Sequence, residues 1–284
     1  MHDANMRLTA DVAREPAGSR FERGTFYAVF GLLCTGTIVL LIAPTIIVLL
    51  TSVTDSQSIR FPPTGFSLQW HEALWTESPE IVDAGILSFQ VAAIASSCAV
   101  LLAGSAALGL ARRPGAWARV LDSVFMSPLM LPSLVLGLAL LALFNLVGGG
   151  LSKMTLVLGH IAITTPYILR TVSASYVQID PLMLESAYAL GAKPFFTFRT
   201  VTLPLILPGL AAGAFIAFMA SFDNVAVSLF LSDARSEVLP IRLWTIIETN
   251  LDVRAAAVSG VLVTVTVLAV MVMERVVGLS SHLR

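Results

Sequence analysis

Residues 185–204 read ESAYALGAKPFFTFRTVTLP and separate two long apolar segments of the chain. Asp180 and Pro181 precede them and favour a helix start, because proline suits the first helical turn. Gly191 predicts the end of that helix and a turn, since glycine adopts backbone angles that other residues avoid. Pro194 then restarts a helix that leads into the next apolar segment. The stretch therefore predicts a helix–glycine–helix loop held outside the lipid.

The composition indicates what surrounds this loop. Of the 284 residues, 56% are hydrophobic and only 12% are charged. Soluble domains carry about 25% charged residues, and a soluble fold of this length could not bury so much apolar surface. The apolar residues form long continuous runs rather than short alternating ones, which is typical of membrane helices. The sequence therefore predicts an all-α polytopic membrane protein.

Six segments satisfy the requirement of a membrane span for about 20 mostly apolar residues. They are predicted at 26–52, about 86–110, from after Asp122 to about Val147, about 151–177, about 205–231, and 255–273. Together they form a transmembrane domain at 26–278. An N-terminal tail (1–25) and a C-terminal tail (279–284) flank it.

The basic residues predict the orientation of these spans, because cytoplasmic loops carry the excess of lysine and arginine. With the N-terminus inside, the inner segments hold 12 of the 17 basic residues. The outer segments hold Arg60, Lys153, Arg235, Arg242 and Arg254. Both termini, and the loop at 185–204, are therefore expected to be cytoplasmic.

The spacing of a few residues within this loop carries a family resemblance. The residues are Glu185, Ser186, Ala187, Gly191, Val201, Leu203 and Pro204. This pattern resembles the EAA loop of ABC-importer permeases, with Ser186 and Val201 where the family usually has Ala and Ile. The alternative is an amphipathic loop lying on the bilayer, which explains the aromatic residues but not the spacing.

The resemblance implies a type I ABC importer permease fold with six transmembrane helices in the bacterial inner membrane. It implies that a coupling loop, residues 181–204, sits in a groove of a separate ATPase subunit and passes the closure of the ATPase dimer to the membrane helices. The residues expected in that role are Glu185, Ser186, Ala187, Gly191, Leu203 and Pro204. The expected partners are the ATPase dimer, a second and different permease subunit, a periplasmic substrate-binding protein and the lipid bilayer.

The sequence contains no P-loop Gly-Lys-Ser/Thr, so no ATP site is predicted on this chain. ATP and Mg²⁺ are expected on the partner ATPase, and the chain is not expected to be an enzyme. It also lacks a Cys/His metal spacing and the basic patch of a nucleic-acid-binding protein.

Three flanking motifs are more specific than the loop. FPPTGFSLQW (61–70), SFDNVAVSLFL (221–231) and LPIRLWTIIE (239–248) are similar to the spermidine/putrescine permease subfamily, and most of all to its second permease. Looser versions occur among relatives that carry other small organic solutes. The resemblance therefore implies import of a polyamine or of another small solute by alternating access.

Asp223 and Asn224 lie within the predicted fifth span and are the candidate residues of the substrate pathway. A carboxylate in that position costs roughly 2.5–3.5 kcal/mol unless it is solvated or paired. Asp223 is either part of a watery substrate pathway, where it would suit a cation, or has a structural partner on a neighbouring helix. His160, in the fourth span, is expected to make a hydrogen bond between helices.

Two rival functions are open at this level. An ion-coupled secondary transporter needs buried ionisable residues and often contains inverted repeats. Only Asp223 fits the first requirement, and no internal repeat is found. A structural membrane protein without transport activity would leave the cytoplasmic helix–glycine–helix without a purpose.

Overall fold

The computed structural model describes residues 17–113, 115–233, 235–250 and 252–277. Within these ranges every regular element is a helix, which confirms the predicted all-α class. The helices are α1 (Ala17–Ser52), α2 (Gln69–Thr76), α3 (Pro79–Arg112), α4 (Ala116–Met130), α5 (Ser133–Leu146), α6 (Lys153–Val177), α7 (Pro181–Ala189), α8 (Pro194–Thr197), a π-helical turn (Phe198–Thr202), α9 (Leu203–Phe222), α10 (Val225–Leu231), α11 (Leu239–Asn250) and α12 (Val253–Val277). Helix α1 begins inside the predicted N-terminal tail. The predicted C-terminal tail, 279–284, lies outside the described residues.

Length and composition support four or five of the six predicted spans. In the described part of the chain, the single helices that could cross a membrane are Thr25–Ser52, Pro79–Arg112, Pro194–Phe222 and Val253–Arg275, and α4 with α5 forms a bent fifth candidate. The predicted fourth span is the continuous helix α6, but α6 is too polar to join this set. Its polar side chains include the buried Thr155, His160 and Thr164. A polar helix is tolerated here because it lies inside the bundle.

The predicted third span is interrupted by a sharp bend. Helix α4 ends at Met130, α5 begins at Ser133, and their axes differ by 110°. Pro132 is at the N-cap position of α5, where its missing N–H costs no helical hydrogen bond. Past the bend, α5 packs closely on α10. A Cβ on Gly137 would lie 2.7 Å from Cδ2 of Phe230, so glycine permits this approach.

The predicted fifth span, about 205–231, is also interrupted. Helix α9 ends at Phe222, and α10 is a separate short helix that starts at Val225. The side-chain oxygen of Asn224 accepts a 2.8 Å hydrogen bond from the backbone N–H of Val227. Asparagine is a favoured N-cap, so the chain starts a new helix here instead of continuing the old one. Asp223 therefore lies at a break between helices.

The core of the bundle is built on α6, which packs against α3 and α9. Helix α3 contributes a stripe of fully buried alanines: Ala92, Ala95, Ala99, Ala103 and Ala107. Helix α9 approaches α6 through Gly209 and Gly213. A Cβ on Gly209 would lie 2.9 Å from Cβ of Ser175 and 3.0 Å from the carbonyl oxygen of Thr171. Small residues four positions apart let membrane helices come into close van der Waals contact.

Helix α11 (Leu239–Asn250) lies between the predicted fifth and sixth spans. Its first residue is tied to the bundle, because the backbone N–H of Leu239 donates a 2.8 Å hydrogen bond to Oγ of Ser88 in α3. Nearby, Nη1 of Arg254 donates a 2.8 Å hydrogen bond to Oγ of Ser78. These bonds link the starts of α11 and α12 to α3.

Candidate coupling loop and membrane cavity

The first half of the loop is a helix with a defined start. Oδ1 of Asp180 accepts a 2.9 Å hydrogen bond from the backbone N–H of Leu182, which makes Asp180 the N-cap of α7. Pro181 occupies the first turn, where its fixed φ angle fits the helix. The helix predicted from these two residues is confirmed.

The end of α7 depends on Gly191. The N–H of Ala192 donates to the carbonyl of Ala187 at 3.0 Å, and the N–H of Gly191 donates to the carbonyl of Tyr188 at 2.9 Å. This pair of bonds is the Schellman motif, which requires a left-handed residue after the helix. Gly191 supplies it with φ of 85°. The predicted glycine turn is confirmed.

No residue of α7 is buried in the chain. Several large apolar side chains of the loop are instead exposed: Leu182 by 66%, Leu190 by 89%, Phe195 by 74% and Phe196 by 61%. We call these four residues the α7–α8 patch. Of the predicted loop residues, Glu185, Ser186, Gly191 and Pro204 are exposed, and Ala187 and Leu203 are half-buried. The pattern thus brings a charged residue, small residues and an apolar surface together on one accessible loop.

The second half of the loop is anchored in the bundle. Thr197 and Thr202 are buried, and the π-helical turn between them runs directly into α9. Helix α9 packs against α6 and α3. The loop is therefore connected to the core of the bundle by continuous helix.

A cavity of about 1000 Å³ lies at the break between α9 and α10. Its wall includes Ser133 at the start of α5, Tyr167 of α6, Asp223, Asn224 and Thr266 of α12. The Asp223 side chain is exposed, and within the described ranges its carboxylate has no hydrogen bond or ion pair with another side chain.

The structure thus brings Asp223 and Asn224 to one cavity but gives them different surroundings. The side-chain oxygen of Asn224 is engaged in capping α10, whereas the carboxylate of Asp223 is available to the cavity. The partner on a neighbouring helix that the sequence left open for Asp223 is not found among the described residues. In the same part of the chain, no group of His, Cys, Asp and Glu could hold a metal ion.

His160 confirms the predicted hydrogen bond between helices. Its Nδ1 lies 2.7 Å from Oγ of Ser221 in α9, and its Nε2 lies 3.1 Å from Oγ of Ser228 in α10. Sequence reasoning did not identify these partners. The serines on either side of Asp223 in SFDNVAVSLFL were the available signal, but only the fold shows that one histidine reaches both.

Comparison with known proteins gives consistent matches. Residues 83–278 match the family described as the binding-protein-dependent transport system inner membrane component. The spermidine/putrescine transport system permease protein PotC of Haemophilus influenzae is 29% identical over 237 residues, which are 84% of this chain and 92% of the relative. The molybdenum transport system permease protein ModB of Mycobacterium bovis is 32% identical over 216 residues, which are 68% of this chain and 79% of the relative.

A solved structure shows the same fold. It is a bacterial alginate ABC transporter in complex with an alginate pentasaccharide-bound periplasmic protein. One of its chains superposes with a TM-score of 0.67 at 13% identity, covering 92% of this chain and 96% of that one. The predicted type I ABC importer permease fold is thereby confirmed. Since the family match spans well over half of the sequence, this chain belongs to the inner membrane components of binding-protein-dependent transport systems.

Proposed function

We propose that this chain is the permease subunit of an ATP-driven ABC importer and translocates a polyamine of the spermidine/putrescine type by alternating access. Its membership of a transport-component family supports the permease role and the assignment of ATP hydrolysis to a separate subunit. The observation that carries the substrate proposal is the Asp223 carboxylate, which faces a large membrane cavity without an ion pair among the described residues.

The ATPase dimer, with its ATP and Mg²⁺, docks on the coupling loop at 181–204. The α7–α8 patch supports this proposal, because large apolar side chains exposed together on one loop favour burial against a protein partner. Glu185, Ser186, Ala187 and Gly191 form the part of the contact that follows the family pattern. Leu203 and Pro204 connect it to α9 and so to the membrane core.

The transporter contains a second, different permease subunit and receives its solute from a periplasmic binding protein. The apolar membrane window of α1 is unburied in the single chain, so it is open to contact with a second subunit or with lipid. The six spans comprise α1, α3, the bent pair α4 and α5, α6, α9 and α12. Both termini are cytoplasmic, as the distribution of basic residues favours.

The substrate proposal rests on charge. PotC is named for spermidine and putrescine transport, and ModB is named for molybdenum transport. Similar sequences are therefore associated with different solutes. A carboxylate in the cavity attracts a polyamine cation and repels an oxyanion. Reconstitution of the full transporter with its binding protein separates these possibilities. Spermidine or putrescine should stimulate ATP hydrolysis, whereas stimulation by molybdate alone would refute a polyamine substrate.

Coupling to ATP is tested by charge reversal on the loop. Glu185→Lys should abolish uptake while the protein still inserts, because a reversed charge disrupts the docked surface. The control is Gln178→Lys, which also introduces a lysine at an exposed position, just before α7, although it changes the charge by one unit instead of two. Normal uptake by Glu185→Lys would refute the docking role.

The rival ion-coupled mechanism predicts a different result. Uptake would then follow a proton or sodium gradient and would survive removal of the ATPase subunits. The ABC mechanism predicts that uptake stops when these subunits are removed, whatever gradient is imposed.

A further inference from the structure

His160 joins α9 and α10, the two helices that flank Asp223. It projects from α6, is only 1% exposed, and bonds Ser221 in the last turn of α9 and Ser228 in α10. Asp223 lies between these two serines in the chain. One side chain therefore bridges the break at which the carboxylate enters the cavity.

Both ring nitrogens take part in this bridge. A neutral imidazole has one N–H donor and one acceptor nitrogen, and a serine hydroxyl can serve as either partner. The ring is thus satisfied by both hydroxyls at once. Ser221 and Ser228 are 2% and 0% exposed, so bulk water does not compete for these bonds. Hydrogen bonds in such a low-dielectric site are strong, and leaving one partner unpaired is costly.

The packing around the ring restrains α10 further. Gly159, the neighbour of His160, lies so close to α10 that an added Cβ would be 3.3 Å from Cγ1 of Val227 and would collide with Leu231. Asn224 caps the first turn of the same helix. The short helix α10 is therefore fixed against α6 by close packing and by the His160–Ser228 bond, while the His160–Ser221 bond fixes the end of α9.

We propose that His160 is a positioning residue that sets the spacing of α9 and α10 and thereby places the Asp223 carboxylate in the cavity. The role in solute selection rests on the proposed function, but the role in geometry does not. A histidine that only stabilised the bundle would have no specific effect at residue 223. If His160 positions residue 223, its replacement changes the access of that residue to the cavity.

The geometric test uses the assembled transporter in a Cys34→Ser, Cys98→Ser background carrying Asp223→Cys. The rate at which a positively charged methanethiosulfonate reagent labels this position reports its access to the cavity. Addition of His160→Ala should change that rate about three- to tenfold, the factor expected from the loss of one or two hydrogen bonds. His160→Asn and His160→Gln should give intermediate rates, because each amide can keep one of the bonds.

Thr165→Val provides the matched control. It removes another hydroxyl of α6, which donates a 2.7 Å hydrogen bond to the carbonyl of Ile161 within the same helix. Labelling should be unchanged. An equal change in Thr165→Val and His160→Ala, or no change in His160→Ala, would overturn the proposal.

Should His160→Ala fail to assemble, Ser221→Ala and Ser228→Ala provide the test, because each removes one hydrogen bond and keeps the imidazole ring. Unchanged labelling in both would also overturn it.

The transport test uses spermidine and the native residue at position 223. His160→Ala should raise KM about three- to tenfold, and His160→Asn should restore part of the loss. In an Asp223→Asn background the same change should have little further effect on KM, since the residue acts through the carboxylate. Full additivity of the two substitutions would contradict the proposal. Absence of spermidine transport by the wild-type complex would refute the proposed substrate and leave the labelling result to judge His160.

Discussion

The backbone N–H of Ala192 donates a 3.0 Å hydrogen bond to the carbonyl of Ala187, and this bond closes α7 around the left-handed Gly191. A Cβ at position 191 would meet nothing within 4 Å in this chain. The backbone angle, and not crowding within the chain, is therefore what requires glycine there. This distinction can be tested, because some residues tolerate the left-handed angle and others do not.

We expect Gly191→Val to lose most uptake and Gly191→Asn to keep most of it. Asparagine visits the left-handed region readily, whereas a β-branched residue there costs about 1–2 kcal/mol or more. Uptake by the complete transporter, corrected for the amount of inserted protein, is the measurement. Equal loss in both variants would show that contact with a partner, and not the turn, excludes a side chain.

Asp223→Asn should raise KM for spermidine about fivefold, which corresponds to the ~1 kcal/mol of a charge pair about 4 Å apart in water. The control is Glu248→Gln, which neutralises an exposed acid on α11 away from the cavity wall. Glu248→Gln should leave KM unchanged. An unaltered KM in Asp223→Asn would favour a structural role for this carboxylate beside the α10 N-terminus.

Gly209→Leu should reduce the yield of folded protein and lower Tm in detergent. The new side chain would separate α9 from α6, and overpacking of this kind costs about 1–3 kcal/mol. Gly36→Leu is the matched control, because a Cβ on Gly36 of α1 meets nothing within 4 Å. A similar loss in both variants would argue against a close α6–α9 contact.

Asp252 should stabilise the chain at neutral pH and lose this effect at low pH. Burial favours its protonated form, but hydrogen bonds from the side chain and backbone of Arg254 outweigh this and lower the pKa of Asp252. A carboxyl with a lowered folded-state pKa contributes stability above its unfolded pKa, about 4, and the contribution is lost as the pH falls through the folded value.

Asp252→Asn should therefore lower Tm at neutral pH, and the difference from wild type should shrink as the pH falls below about 4. Tm of the detergent-solubilised protein across this range is the measurement. A constant difference between the two proteins at every pH would show that the ionised carboxylate does not contribute.

The loop could be predicted from sequence because its signals are local. Asp180, Pro181 and Gly191 each favour one backbone conformation, and the structure uses all three as expected. The all-α class followed from composition for a similar reason.

The errors arose where distant contacts determine the backbone. Pro132 lies inside the predicted third span, but the sequence did not indicate the 110° bend there, after which α5 runs along α10 with Gly137 close to Phe230. Asn224 lies in the cavity wall, and its side chain also caps a helix whose start was not predicted. The sequence predicted a polar contact for His160, and the fold was needed to identify both serines.

The most direct test of the central claim is cysteine cross-linking in the intact transporter, in a Cys34→Ser, Cys98→Ser background. Leu190→Cys places a thiol on the most exposed residue of the α7–α8 patch, and Leu151→Cys places one on the exposed segment before α6, on the side expected to be periplasmic. We expect Leu190→Cys to link to the ATPase subunit and Leu151→Cys not to do so. Failure of Leu190→Cys to reach the ATPase, or its cross-linking to the periplasmic binding protein, would contradict docking of the ATPase on this loop.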